Sequence, residues 1–239
     1  MSEETLFISD CHLDASRPEV LVQLVHFLDK RAAGAARLFI LGDLFEAWVG
    51  DDNPVEDLQS AIQALQCRAQ STPTYFLGGN RDFLLGQSFA EQMGFALLEE
   101  PHELQLGDLP VILIHGDTLC TDDHDYQAFR GMVRNPDWQA EFLNKPLAER
   151  MQMAAALRKD SAMAMAEKSA DIMDVNQDAV VECFDRYRVD TIIHGHTHRP
   201  AVHHYASNRT RYVLGDWNPH ASYLSWKSDR GFELVDPRI

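Results

Sequence analysis

Five short polar motifs in this chain each stand at the end of an apolar, strand-like run. Asp10 and His12 follow Leu6-Phe7-Ile8, Gly42-Asp43 follows Leu38-Phe39-Ile40-Leu41, and Gly79-Asn80-Arg81-Asp82 follows Tyr75-Phe76-Leu77. His115-Gly116-Asp117 follows Val111-Ile112-Leu113-Ile114, and Gly195-His196-Thr197-His198 follows Ile192-Ile193. Short apolar runs bounded by turn residues read as buried strands. Open α/β sheets gather their ligand sites just beyond the strand ends. The repeated pattern therefore predicts that carboxylates, imidazoles and one carboxamide meet along a single sheet edge.

Helical segments separate these runs. Pro18 opens a periodic stretch through Val20, Leu21, Leu24, Val25, Phe27 and Leu28, with proline suited to the first turn. A strand is expected over 37–41, a helix over about 55–69, a strand over 74–77 and a short helix near 84–93 that ends at Gly94. Strands are expected at 95–98, 103–106 and 111–114, the last two joined by a Gly107-Asp108 turn. A helix over 176–187 leads into a strand at 191–193, and the tail reads as strands at 211–214, 223–227 and 232–235. The class is α/β, with mixed sheets and helices outside.

A length of 239 residues favours a single domain with an insertion over two equal domains. That insertion is expected at about 122–171, where helix formers dominate between Asn135-Pro136, Lys145-Pro146 and the next strand pattern. It holds Met132, Met151, Met153, Met163 and Met165 beside Arg130, Arg134, Arg150, Arg158, Lys159 and Lys168. The methionines either pack the insertion onto the sheets or present an adaptable apolar surface to a greasy substrate, with cations nearby for its phosphates.

The net charge of −16, from 21 Lys and Arg against 37 Asp and Glu, argues against a nucleic-acid partner. No apolar run reaches the roughly 20 residues of a membrane span, and Met1-Ser2-Glu3-Glu4 is acidic, so a cytoplasmic chain is expected. Cys11, Cys67, Cys120 and Cys183 have no metal-type spacing and read as reduced packing thiols. Cys11 is expected to face the core, opposite Asp10 and His12 on an extended chain.

The motif residues are oxygen and nitrogen ligands, too many for one ion. Asp10 and His12, two apart, can grip one cation, and the two oxygens of Asp43 can bridge a pair. Asn80 offers a neutral oxygen, and His115, His196 and His198 offer imidazole nitrogens. Two cations roughly 3.5–4 Å apart hold a hydroxide and clamp a phosphoryl group. Two carboxylates against four positive charges would leave the site electropositive for a phosphate anion. The mixed donors favour Mn²⁺, with Fe, Zn or Co open and Mg²⁺ disfavoured. His194 reads as a packing residue, and His26, His102, His203, His204 and His220 as surface or satisfied core residues.

The order D-x-H, G-D, G-N-x-D, H-G-D and G-H-x-H resembles the calcineurin-like metallophosphoesterase superfamily. Longer matches narrow it to a branch serving lipid A synthesis: Ile8-Ser9-Asp10-Cys11-His12-Leu13, Leu41-Gly42-Asp43-Leu44-Phe45-Glu46-Ala47-Trp48, Gly79-Asn80-Arg81-Asp82-Phe83, Ile193-His194-Gly195-His196-Thr197-His198-Arg199-Pro200 and Leu214-Gly215-Asp216-Trp217. The resemblance implies a four-layer αββα sandwich with a helical cap. It implies two Mn²⁺ per chain, one at Asp10, His12, Asp43 and His198, the other at Asp43, Asn80, His115 and His196. It implies hydrolysis of the pyrophosphate bond of a lipid-linked nucleotide sugar at the α-phosphorus, with His196, Arg81 and Asn80 catalytic. Asn80, Arg81, Asp123, Tyr126, Arg158, Ser161, Met165, Lys168 and His196 would contact substrate. Met165 and Ala162 depart from the family, which carries a polar residue and an arginine there. The acyl chains imply peripheral contact with the cytoplasmic face of the inner membrane, and no obligate protein partner is inferred.

Arg81 stands where many metallophosphoesterases carry a histidine that protonates an alkoxide. A departing phosphate, with a second pKa near about 6, needs no such proton, and a guanidinium can stabilise its charge bidentately. This favours a pyrophosphate bond; the competing reading pairs Arg81 with Asp82. Other functions kept open are a general nucleotide pyrophosphatase or phosphodiesterase and a metal-free scaffold.

Overall fold

A computed structural model describes the backbone of residues 3–167 and 174–239, and the side chains of these except 160–167. One sheet contains β1 (Glu4–Ile8), β2 (Arg37–Leu41), β3 (Thr74–Leu77), β4 (Phe95–Leu98), β10 (Tyr223–Lys227) and β11 (Gly231–Val235). Its order is β11-β10-β1-β2-β3-β4, parallel from β1 to β4, with β10 and β11 antiparallel at one edge. The second contains β5 (His102–Leu106), β6 (Leu109–Leu113), β7 (Thr191–His194), β8 (Ala201–His204) and β9 (Thr210–Val213), ordered β5-β6-β7-β9-β8.

The strand alternation decides the layers. Phe7, Phe39, Leu41 and Leu77 of the first sheet meet Leu106, Val111, Leu113 and Ile193 of the second in one dry cluster. Phe39 stacks between Phe7 (5.2 Å) and Tyr75 (4.7 Å). The opposite face of the first sheet, with Leu6, Ile8, Leu38 and Ile40, packs on α1 (Pro18–His26), α2 (Gln59–Ala69) and α3 (Gln87–Met93). Ile112 and Ile192 on the outer face of the second sheet pack on Val180, Cys183 and Phe184 of α7 (Gln177–Tyr187). The result is the expected four-layer αββα sandwich, with every large inter-sheet residue contributing about 2–3 kcal/mol by burial.

Between β6 and α7 run α4 (His124–Val133), α5 (Pro136–Leu143) and α6 (Leu147–Glu167), with no strand among the described residues. Asn135 caps α5 by accepting the amides of Asp137 and Trp138, and Pro136 occupies the first turn. The methionines of this segment divide between packing and exposure. Met153 and Trp138 pack against the first sheet's helical side, whereas Met132 (49% exposed) and Met151 (46%) face solvent.

Some elements differ from the sequence reading. The helix expected from 55 begins as a 3₁₀ turn at Glu56–Leu58, and the one expected from 84 starts only at Gln87, because 82–85 fold into a turn around Asp82. Strand β8 has no apolar alternation: only Ala201 and Val202 are apolar, and it survives as an exposed edge through its ladder with β9.

Candidate metal centre

The parallel register sets the site. Ile8 lies opposite Ile40 and Leu41 opposite Leu77, so the chain leaves β1, β2 and β3 at one level. Strands β6 and β7 end alongside, with Leu113 opposite Ile193. All five motifs therefore emerge at one edge of the sandwich.

Beyond the strands the backbone turns sharply. Asp10, His12, Asp43, His196 and His198 all have positive φ, between 48° and 66°, and they make up five of the eight non-glycine residues described with that conformation. Such residues are held only where the surroundings over-determine them, and they gather at functional sites. The expected extended chain at Asp10 to His12 is therefore corrected: each turns in the left-handed region. Cys11 still points into the core, fully buried. Gly42 and Gly79 allow two of these loops to touch, since a Cβ on Gly42 would stand 2.5 Å from the Gly79 Cα.

Two groups of ligand atoms face each other. In the first, His12 Nε2 lies 3.1 Å from His198 Nε2, and Asp10 Oδ1 lies 3.3 Å from His198 Nε2 and 3.9 Å from His12 Nε2. In the second, Asn80 Oδ1 lies 2.9 Å from both His115 Nε2 and His196 Nδ1. Asp43 stands between them, with Oδ2 3.8 Å from His12 Nε2 and Oδ1 3.7 Å from His115 Nε2. Two nitrogens each about 2.1 Å from one ion stand roughly 3.0–3.4 Å apart, so the His12–His198 spacing of 3.1 Å fits a shared cation. The residue sets Asp10, His12, His198 and Asp10, Asp43, His115 each bring ligand atoms within 4.8 Å of one another.

The imidazoles are oriented from behind. His115 Nδ1 donates to the Leu41 carbonyl at 2.9 Å, which leaves Nε2 facing Asn80 and Asp43. His12 Nδ1 lies 3.1 Å from Glu46 Oε2, which likewise turns Nε2 inward. Such partners fix ring orientation and ligand basicity. Asp10 Oδ2 accepts from the Ser9 hydroxyl, and the His196 amide is shared between Oδ2 at 3.0 Å and Oδ1 at 3.2 Å.

Electrostatics differ among the groups. Burial alone would lower His115, but the charges of Asp43 and Asp10 push it up to about 9. Burial also opposes ionisation of Asp10, and the hydrogen bond and charge of His198 outweigh it, holding Asp10 well below the usual carboxylate range. Burial, with the neighbouring charge of His115, lowers His196 to about 4. His194 packs as expected: it is fully buried, lowered to about 3 chiefly by burial, and its Nε2 lies 2.9 Å from Arg211 Nη1.

Several carboxylates that sequence reading left without a role are built into the centre. Asp82 is fully buried and accepts amides of Asp43, Leu44, Phe45 and Gly79. It makes no ion pair with Arg81, whose guanidinium lies 3.8 Å from Glu46. Asp117, also fully buried, accepts from Tyr126 and Arg130. Glu100 accepts the His115 amide at 2.7 Å. The surroundings are thus richer in carboxylate than Asp10 and Asp43 alone, and the single charge of Arg130 is shared between Glu100 and Asp117. Asp82 and Asp117 could have been found as the last residues of their motifs; Glu100 has no sequence signal.

Of the expected substrate contacts, Tyr126 has its ring 5.8 Å from that of His196 and its hydroxyl on Asp117, 2.6 Å away. Asp123 caps α4 by accepting the Tyr126 amide. Arg158 on α6 adds a smaller positive influence on Asp14, lowered chiefly by hydrogen bonds from Ser16, and on Glu46, lowered against burial chiefly by the hydrogen bond of His12. The side chains of Ser161, Ala162, Met165 and Lys168 lie outside the described residues.

The chain is similar to known phosphoesterases. The calcineurin-like phosphoesterase family matches residues 4–200. UDP-2,3-diacylglucosamine hydrolase of Sodalis glossinidius is 47% identical over 223 residues, covering 92% of each chain. That of Stenotrophomonas maltophilia is 48% identical over 231 residues, covering 92% of this chain and 93% of its own. A dimetal phosphatase from Danio rerio shares the fold at a TM-score of 0.55 with 12% identity, covering 98% of both chains.

Proposed function

From a chain that belongs to the calcineurin-like phosphoesterase family, within its UDP-2,3-diacylglucosamine hydrolases, we propose hydrolysis of UDP-2,3-diacylglucosamine at its pyrophosphate bond. Water adds to the α-phosphorus and the bridging P–O bond breaks, giving UMP and 2,3-diacylglucosamine 1-phosphate, a step of lipid A biosynthesis. The observation that carries this reading is Asp43, which offers one oxygen to each of two facing ligand groups.

Asp10, His12, His198 and Asp43 would hold one divalent ion, and Asp43, Asn80, His115 and His196 a second; the nitrogen-rich donor set suits Mn²⁺. When bound, the pair supplies Lewis acidity and an activated water. The chain's own groups do the rest. Asn80 and His196 would contact the attacked phosphoryl group, and Arg81, half-buried beside Glu46, would stabilise charge on the departing phosphate. Asp123, Tyr126 and Arg158 would contact the nucleotide sugar, and the family resemblance assigns the same role to Ser161, Met165 and Lys168, whose side chains lie outside the described residues. Exposed Met132, Leu143 and Met151 are apolar surface for acyl chains and for peripheral contact with the inner membrane's cytoplasmic face. No helix among the described residues is long and apolar enough to cross a membrane. Nucleic acid is not a partner in this reading.

The test is UMP release with Mn²⁺ from UDP-2,3-diacylglucosamine and, separately, from UDP-N-acetylglucosamine. Release from the acylated substrate alone is expected. Equal rates on both would replace the reading with a general nucleotide-sugar pyrophosphatase, and release from neither would refute the substrate.

A further inference from the structure

One face of α4 reaches all three loops that carry the second ligand group. Tyr126, Arg130 and Arg134, the last being the C-terminal cap of α4, are spaced i, i+4 and i+8, which aligns them along a helix. The Tyr126 hydroxyl donates to Asp117 at 2.6 Å, two residues past His115, while its ring lies 5.8 Å from the His196 ring. Arg130 donates through Nε to the same Asp117 oxygen at 2.8 Å and through Nη2 to Glu100 at 2.9 Å. Glu100 in turn accepts the His115 amide at 2.7 Å. Arg134 donates through Nη2 to the Gly79 carbonyl at 3.0 Å, immediately before Asn80, and its guanidinium lies 4.8 Å from the Phe83 ring.

We propose that Arg130 and Arg134 are positioning residues for the Asn80–His115–His196 ligand group, so that α4 braces the second cation site as well as flanking the substrate. This rests on the two-cation reading above. Each arginine ties α4 to backbone or carboxylate groups directly behind a ligand: Arg130 fixes the loop of His115 through two charge-assisted contacts, and Arg134 fixes the loop of Asn80. The first group, Asp10, His12 and His198, has no such contact to α4 among the described residues. Binding of the second cation and docking of α4 are consequently linked, and linkage is reciprocal.

The test titrates Mn²⁺ into the full chain, wild type and the variants Arg130→Met, Arg134→Met and Arg134→Lys, counting bound ions by electron paramagnetic resonance without substrate. Wild type is expected to bind two. Both methionine variants should keep one site at wild-type affinity and weaken the other at least tenfold, the range seen when partners behind metal ligands are removed. Arg134→Lys, which keeps a donor for the Gly79 carbonyl, should recover part of the loss. Amide hydrogen exchange of 126–134 in the wild type should slow on Mn²⁺ saturation, a readout that requires no variant to fold. Two undisturbed sites in both methionine variants would overturn the proposal, as would exchange in α4 indifferent to Mn²⁺. A wild type that binds fewer than two ions would remove the two-cation reading itself, and the proposal with it.

Discussion

Asp82 Oδ2 accepts the amide of Leu44 at 2.7 Å, fully buried beneath the loop that carries Asp43. The same oxygen accepts from Phe45 at 3.2 Å, while Oδ1 accepts from Gly79 at 2.8 Å and Asp43 at 3.1 Å. One side chain thus clamps the loops after β2 and β3, bringing Asp43 and Asn80 to the same point. Asp82→Asn replaces one acceptor with a donor facing amides, and leaving buried donors unmet costs about 1–3 kcal/mol. Urea unfolding of the metal-free protein should show that loss, and Mn²⁺ affinity should fall with it. A variant as stable as wild type would refute the clamp.

Cation uptake should release protons. Without bound cations His115, raised to about 9 chiefly by Asp43 and Asp10 against the effect of burial, is protonated at pH 7. A raised folded pKa means that this charge stabilises the metal-free fold below the unfolded value of 6.5, and the contribution is lost as pH rises through about 9. A cation at Nε2 must displace that proton. Calorimetry in buffers of different ionisation enthalpy should find a proton released per chain at pH 7 that diminishes toward pH 9. His115→Gln should lack it. Identical release by the variant and wild type would show that the proton comes from elsewhere.

Much of this architecture was legible because strand ends and ligands coincide in the sequence. Ile8, Leu41, Leu77 and Ile193 are buried strand residues followed within a few positions by Asp10, Asp43, Asn80 and His196, so period and motif point to one edge. The left-handed turns at Asp10, His12, Asp43, His196 and His198 were not legible, since aspartate and histidine adopt that conformation here under tertiary constraint. Nor were Glu100, Arg130 and Arg134, whose roles depend on where α4 lands, a relationship between segments that no local pattern carries. Strand β8 escaped because an edge ladder needs no apolar face.

At the start of β1, the end of that strand away from Asp10, Glu4 is held down to about 2, foremost by hydrogen bonds from Arg31, with Ser225 also donating. A depressed carboxylate pKa contributes stability that is present above its unfolded value of 4.5 and lost as pH falls from there toward about 2. Glu4→Gln should therefore flatten the stability curve between these limits. It should also lower stability at pH 7, because Arg31 loses its carboxylate. Parallel acid-unfolding curves for the variant and wild type would exclude Glu4 as a source of acid sensitivity.

Arg81 offers the sharpest test of the chemistry. Its backbone amide donates to Asp43 Oδ1 at 2.8 Å, so the residue is fixed beside that carboxylate, yet its buried Nε has no protein partner among the described residues and its Nη1 stands 3.8 Å from Glu46. A guanidinium held so loosely, beside a site that would otherwise satisfy it poorly, is available to a departing phosphate. Because that interaction strengthens as charge develops, its removal should lower turnover more than substrate binding. Arg81→Ala should lose about 10²–10³-fold in kcat on UDP-2,3-diacylglucosamine, the scale of one lost charge-stabilising donor, while Mn²⁺ content stays at the wild-type value. Arg81→Lys should fall between, since an ammonium lacks the planar fork. An Arg81→Ala enzyme with unchanged kcat/KM would remove Arg81 from the mechanism, and one that has lost Mn²⁺ would assign it to the metal centre instead.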